Sequence, residues 1–180
     1  YTHQLELKEI IMEGRKFKEL LFDIACCSMG CDGHIDDKEI RELKFINSST
    51  SYFKNIDMTN RLESFIENLN ENGQELIKST LDHLKSELLN PVEEMLVLEV
   101  VLRLIYSDTM IDEKEISYIQ SIRSLLSIDD NILIQRFGEV DFLFSTDQKI
   151  ISKKEANNKS SKSSDIPNLD NMYAKLGDKK

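Results

Sequence analysis

The sequence predicts an all-α fold: a single helical domain of about seven or eight helices. Three observations carry this. Only 6 of the 180 residues are Gly and 2 are Pro, too few for a sheet built on tight turns. Apolar residues recur three and four apart through most of residues 1–148. Ser, Thr, Asp and Asn stand before several of these runs, where helix N-caps belong.

The elements follow in order. Leu5, Leu7, Ile10, Ile11, Phe17, Leu20, Leu21, Ile24 and Ala25 mark helix over 5–29, with Gly14 as a break that divides it in two. Gly30 and Gly33 close the segment. Ile40, Leu43 and Ile46 share one face of a helix from about Asp37 to Ile46, with a break at 47–51. Thr59 is the N-cap expected for a helix carrying Leu62, Phe65, Ile66 and Leu69. A kink falls at 70–73, and helix resumes through Leu76, Ile77, Leu81, Leu84 and Leu88. Asn90-Pro91 is a start signal, an N-cap followed by proline at the first helical position. The helix after it, to about Ser107, is the most apolar in the chain and is expected to be central. Another covers Glu113 to Leu126. A last helix, capped by Ser127 or Asp129, holds Ile132, Leu133, Ile134 and Phe137.

Charge divides the chain. The net charge is −10, with 33 Asp plus Glu against 23 Lys plus Arg. Residues 149–180 carry +4 and residues 1–148 carry −14. An acidic body argues against binding a phosphate backbone, which needs a basic stripe. The Lys-, Ser- and Asn-rich stretch 153–164 reads as a flexible linker. It leads to Ile166, Leu169, Met172, Tyr173 and Leu176, spaced as a short amphipathic docking helix over 166–176.

Cys26, Cys27 and Cys31 lie within six residues, an odd number with no disulfide framework. A reducing cytoplasm suits them. No apolar run reaches the roughly 18–20 residues of a membrane span. The longest, Met95 to Tyr106, is interrupted by Glu99 and Arg103. No signal-peptide pattern is visible in residues 1–30, where Glu and Lys interrupt the apolar positions.

The chain repeats itself at a shift of 76 residues. Leu21 to Ile24 falls on Val97 to Val100, and Asp32 to Ile40 falls on Asp108 to Ile116. The shared pattern is Asp-x-x-Ile-Asp-acid-Lys-Glu-Ile, between an apolar helix and an amphipathic one. Asp36 with Glu39, and Asp112 with Glu115, have the spacing of capping boxes, each flanked by isoleucines placed as a hydrophobic staple. Capping accounts for every shared turn position except Asp32 and Asp108. The same residues also match the second half of an EF-hand loop. The first half is missing, because Ser28 or Leu104 stands at its first ligand position. Three carboxylates per turn remain: Asp32, Asp36 and Glu39, then Asp108, Asp112 and Glu115. Such oxygen ligands suit Ca²⁺ or Mg²⁺, bound weakly through a water-rich shell.

The run from Ala25 to Glu39, an apolar helix entering Asp-Gly-x-Ile-Asp-x-x-Glu, resembles the signature of the tellurite-resistance TerB and TerB-like domains. The segment Asp108 to Glu115 fits that family's second acidic turn, with Thr109 in place of its Gly. The resemblance covers roughly residues 15–135. It implies an all-helical, pseudo-symmetric domain with a clustered acidic surface proposed to bind metal. It also implies a binding module rather than a catalyst, in stress resistance or phage defence, beside membrane or chaperone partners.

Other chemistry is weaker. Cys27, Cys31 and His34 lack the spacing and the second pair of a zinc site, so core packing is the expected role of the thiols. A cysteine nucleophile would have only His34 near it in sequence as a base. Asp23 and Glu99 occupy equivalent positions and are expected on helix flanks, each meeting a basic residue or a helix N-terminus. The leading function is therefore a non-enzymatic module that binds a divalent cation weakly and engages a protein partner. The alternative is a structural adaptor whose turns are caps and whose tail docks a partner. A cysteine-dependent redox protein is the third reading.

Overall fold

A computed structural model describes residues 2–144, with side chains from residue 13 onward. Among the described residues there are seven helices and no strand. They are α1 (Thr2–Gly30), α2 (Asp37–Ser49), α3 (Met58–Ser86), α4 (Pro91–Ile105), α5 (Glu113–Leu125), α6 (Asp130–Phe137) and α7 (Asp141–Phe144). The basic tail 149–180 and the docking helix 166–176 lie outside the described residues. No described helix is long and apolar enough to cross a membrane.

The chain divides into two units, Tyr1–Ser127 and Ile128–Lys180. In the first, α1 and α4 are the elements around which the others gather. α1 packs on α3, α4 and α5, and α4 packs on α1, α2 and α5. Every residue of α4 from Val97 to Ile105 is buried, as an apolar stretch without a polar face requires. Leu20, Leu21, Phe22 and Ile24 of α1 and Ile119 and Ile122 of α5 complete the core. In the second unit, Asp129 caps α6, Gly138 ends it with φ +79°, and Leu133, Phe137 and Leu143 are buried.

Several boundaries depart from the sequence reading. α1 runs unbroken through Gly14, around which there is open space. α2 continues to Ser49, because the hydroxyls of Ser48, Ser49 and Thr50 bond the last carbonyls, of Phe45 and Ile46. α3 is capped by Asp57, not Thr59: the Asp57 carboxylate accepts from Asn60 N at 3.3 Å. It stops at Ser86, leaving Leu88 wholly exposed. The kink is at Asn72, with φ −144° and ψ 43°. Asn90 caps α4 in a full capping box with Glu93.

Gly30 sets the approach of α1 to α3. A Cβ there would sit 2.5 Å from Leu69 Cδ2. Gly30→Ala is expected to cost on the order of 1–3 kcal/mol by overpacking. The low end applies if the Leu69 tip swings away. Urea denaturation of Gly30→Ala beside Gly30→Ala/Leu69→Ala checks the cause, because the double variant should recover most of the loss.

Candidate functional site

The two acidic turns lie side by side, although 76 residues separate their equivalent positions in the chain. The first joins α1 to α2 and the second joins α4 to α5. Lys38 Nζ reaches across to Asp108 Oδ1 at 2.7 Å, and Lys114 Nζ donates to the Asp32 carbonyl at 3.1 Å. Lys38 and Lys114 are equivalent residues of the two motifs, and so are Asp32 and Asp108. Each turn therefore donates a lysine to the first aspartate of the other.

Within each turn the carboxylates serve the backbone. Asp36 Oδ1 accepts from Lys38 N at 2.7 Å, and Glu39 Oε2 accepts from Asp36 N at 2.9 Å. Asp112 Oδ1 accepts from Lys114 N at 2.7 Å, and Glu115 Oε2 accepts from Asp112 N. Both are complete capping boxes. Asp32 Oδ1 takes the His34 N–H at 2.7 Å, and Asp108 Oδ1 takes the Thr109 N–H. These bonds satisfy orphan donors at two helix starts.

The departure at Thr109 has a backbone cause. Gly33 has φ +94°, which favours glycine. Asn55 is the only non-glycine residue with positive φ among the described residues, so Thr109 does not need that freedom. The second turn closes instead through Asp108 and the Thr109 N–H.

Electrostatics ties the turns together. Burial, aided by Glu115, Asp32 and Asp36, pushes the Glu39 carboxyl up to about 7. Burial raises Glu115 too, with Asp32, Asp112 and Asp108 adding to the effect. The Lys38 bond holds Asp108 below the usual carboxylate range, and Asp108 in turn raises Lys38. Among the described residues, no three His, Cys, Asp or Glu side chains are gathered closely enough to hold a metal ion.

Glu39 makes the site sensitive to pH. A carboxyl with a raised folded pKa favours folding when protonated. Its contribution is complete below the unfolded value near 4.5 and is lost as pH rises through about 7. Stability is expected to fall by on the order of 1–3 kcal/mol between pH 4.5 and 8 through this group. Glu39→Gln keeps the cap and should flatten that dependence. Urea midpoints of both proteins at pH 5 and pH 8 test it, and an equal pH response would refute it.

The thiols are packing groups. Cys26 and Cys27 are buried and Cys31 is half-buried. Burial pushes Cys27 to about 11 and Cys31 to about 12. A reactive cysteine needs the opposite shift. Cys27 Sγ donates to Thr80 Oγ1 at 3.4 Å, beside Tyr118, whose hydroxyl donates to the Ile24 carbonyl at 3.2 Å.

Asp23 lies on a helix flank as expected. Arg61 grips it with Nε at 3.1 Å and Nη2 at 2.8 Å. Glu99 instead lies inside, 1% exposed, and takes the Tyr52 hydroxyl at 3.0 Å. It cannot sit on a flank, because every residue of α4 from Val97 to Ile105 is buried. Sequence reasoning missed the crossed lysines. Their signal was present, since Lys stands at the same place in both motifs, but nothing local to either motif points it at the other turn.

No protein-family model, no curated protein and no solved structure matches the chain.

Proposed function

We propose that the chain is a non-enzymatic, cytoplasmic, TerB-like module of bacterial stress response or phage defence that engages a protein partner. Its two acidic turns act as a clasp. The observation that carries this is the pair of crossed contacts, Lys38 to Asp108 and Lys114 to the Asp32 carbonyl. They support a pseudo-twofold relation between the halves, with helix, acidic turn and helix in each. The carboxylates are already engaged as caps and ion-pair acceptors, which favours a structural role for the turns. The raised thiols weigh against cysteine chemistry. A partner that is membrane-associated or a chaperone is the expectation from the family resemblance.

A double-mutant cycle tests the clasp. Lys38→Ala and Asp108→Ala should couple at low salt, and the coupling should fade in molar salt because the pair is exposed. Additive losses at low salt would exclude it. Asp36→Ala and Asp112→Ala should each cost about 0.5–2 kcal/mol as lost caps.

A weakly held divalent cation is the second reading. The observation in its favour is that Glu39 and Glu115 are both raised, first by burial and then by the acids clustered around them, Asp32 and Asp36 for Glu39 and Asp32, Asp112 and Asp108 for Glu115. As placed, these groups do not form a chelate, so a hydrated Ca²⁺ or Mg²⁺ would have to displace Lys38. NMR titration to millimolar Ca²⁺ decides between them. A saturating shift at Asp32, Asp36, Glu39, Asp108, Asp112 and Glu115 supports the cation, and its absence leaves the clasp.

A further inference from the structure

A cleft of about 580 Å³ opens on the first unit, away from the acidic turns. Three stretches of chain line it. Arg15, Glu19 and Asp23 form one stripe of α1 at four-residue spacing. Asn55 and Asp57 belong to the connection into α3. The third stretch is α3 itself, which bends at Asn72, and residues on both sides of the bend face the same space. Ser64 and Asn68 lie before the bend, and Ser79 and His83 after it. Helices that pack together present apolar stripes. Here polar side chains occupy positions at which leucine or isoleucine would have closed the gap.

The chemistry of the lining narrows the ligand. Both arginines are already neutralised: Arg61 is gripped by Asp23, and Arg15 Nε meets Glu19 at 3.1 Å. Neither is a bare receptor for phosphate or another anion. Three carboxylates, Glu19, Asp23 and Asp57, face two guanidiniums, so the cleft has one negative charge in excess. The side chains of Asn55, Ser64 and Asn68 make no hydrogen bond among the described residues. Amide and hydroxyl groups of this kind pair with peptide N–H and C=O groups. Among the described lining residues, Phe65 is buried and the His83 imidazole is tied to Glu87 at 3.2 Å, which leaves no free ring for stacking a base or a sugar. The α1 stripe is about 12 Å long at 1.5 Å per residue. An extended chain of about four residues spans that distance.

We propose that this cleft binds a short extended segment of a partner polypeptide bearing a lysine or arginine side chain, its backbone held by Asn55, Ser64 and Asn68. The proposal rests on the protein-interaction reading above and gives it a surface.

The test uses the full ¹⁵N-labelled chain and three degenerate, end-capped pentapeptide libraries whose central residue is fixed as Lys, Glu or Gly. The Lys library should give saturating shifts at the Asn55 and Asn68 side-chain amides and at Arg61 Nε. The Glu library should bind at least tenfold more weakly. Asn68→Trp fills the cleft from an exposed helix position and should weaken binding at least tenfold without changing the melting temperature. Equal binding of the Lys and Glu libraries would overturn the proposal, as would no response to Asn68→Trp. End-capped lysine alone binding as well as the Lys library would also overturn it, by marking a small-cation site. Shifts confined to Lys38 and Asp108 would reject this cleft while leaving the module reading intact. If no library binds anywhere, the cleft proposal fails, and the Lys38–Asp108 cycle still judges the clasp separately.

Discussion

Arg103→Ala is expected to lower the unfolding free energy by about 3–5 kcal/mol, the usual cost of stripping one partner from a buried ion pair. Arg103 sits in α4 at 3% exposure. Its Nε and Nη2 both lie 3.0 Å from Glu42 Oε1 on α2. Its guanidinium also lies 5.8 Å from the Phe45 ring centroid. The pair is one of the bonds that hold α2 to α4. Removing the arginine leaves the Glu42 carboxylate half-enclosed without this counter-charge, and it opens a void beside Phe45. The double replacement Arg103→Met/Glu42→Met removes both charges and keeps the volume. It should recover much of the loss, because paired burial of charge gives little net stability over apolar packing. Urea denaturation of the two proteins measures the difference. A single-variant loss below about 1 kcal/mol would place the pair with ordinary surface bridges.

The second large effect is at Phe22. Its side chain is wholly buried in α1, and its ring meets that of Phe53 edge-on, with centroids 5.5 Å apart and planes at 90°. Phe22→Ala should cost about 3–5 kcal/mol from lost transfer and the cavity left behind. About 0.5–1.5 kcal/mol of that belongs to the ring pair itself and is isolated by a cycle with Phe53→Ala. The consequence is wider than the core. Phe53 anchors the 50–57 connection, whose Tyr52 reaches Glu99 and whose Asn55 carries φ +72°. Hydrogen exchange in 50–57 should therefore rise in Phe22→Ala beyond the change expected from global stability. Uniform exchange across the chain would reject the anchoring role.

Much of the fold is legible in the sequence, because helix signals are local. Asn90-Pro91 starts α4, and both Asp-x-x-Glu boxes start their helices where the spacing places them. Asn72 bends α3 within the 70–73 stretch marked by its polar run. The misses are also local, and each has a local cause. Asp57 and Thr59 are both good caps two residues apart, and the carboxylate bonded to Asn60 N prevails. Serine hydroxyls extend α2 past its last apolar residue. Gly14 weakens α1 without breaking it, since a glycine inside a helix costs only about 1 kcal/mol.

The site was half legible. The six acids and their caps could be read from spacing, but their meeting could not. Glu99 read as a helix-flank residue, and Arg103 only as a charge interrupting an apolar run. Both are buried, because Tyr52 and Glu42 reach them from 47 and 61 residues away.

By itself, then, the sequence determined the helical class, the order of the helices, the capping boxes at Asp36, Asn90 and Asp112 and the acidic turns. Those depend on bonds between residues three or four apart, where the order of side chains along the chain is enough. Only the tertiary structure decided which charges are enclosed, that Lys38 and Lys114 cross between the turns, and that polar stripes of α1 and bent α3 leave a cleft. Those outcomes rest on desolvation and on pairs 38 to 82 residues apart. Their energies exist only once packing has brought the partners together.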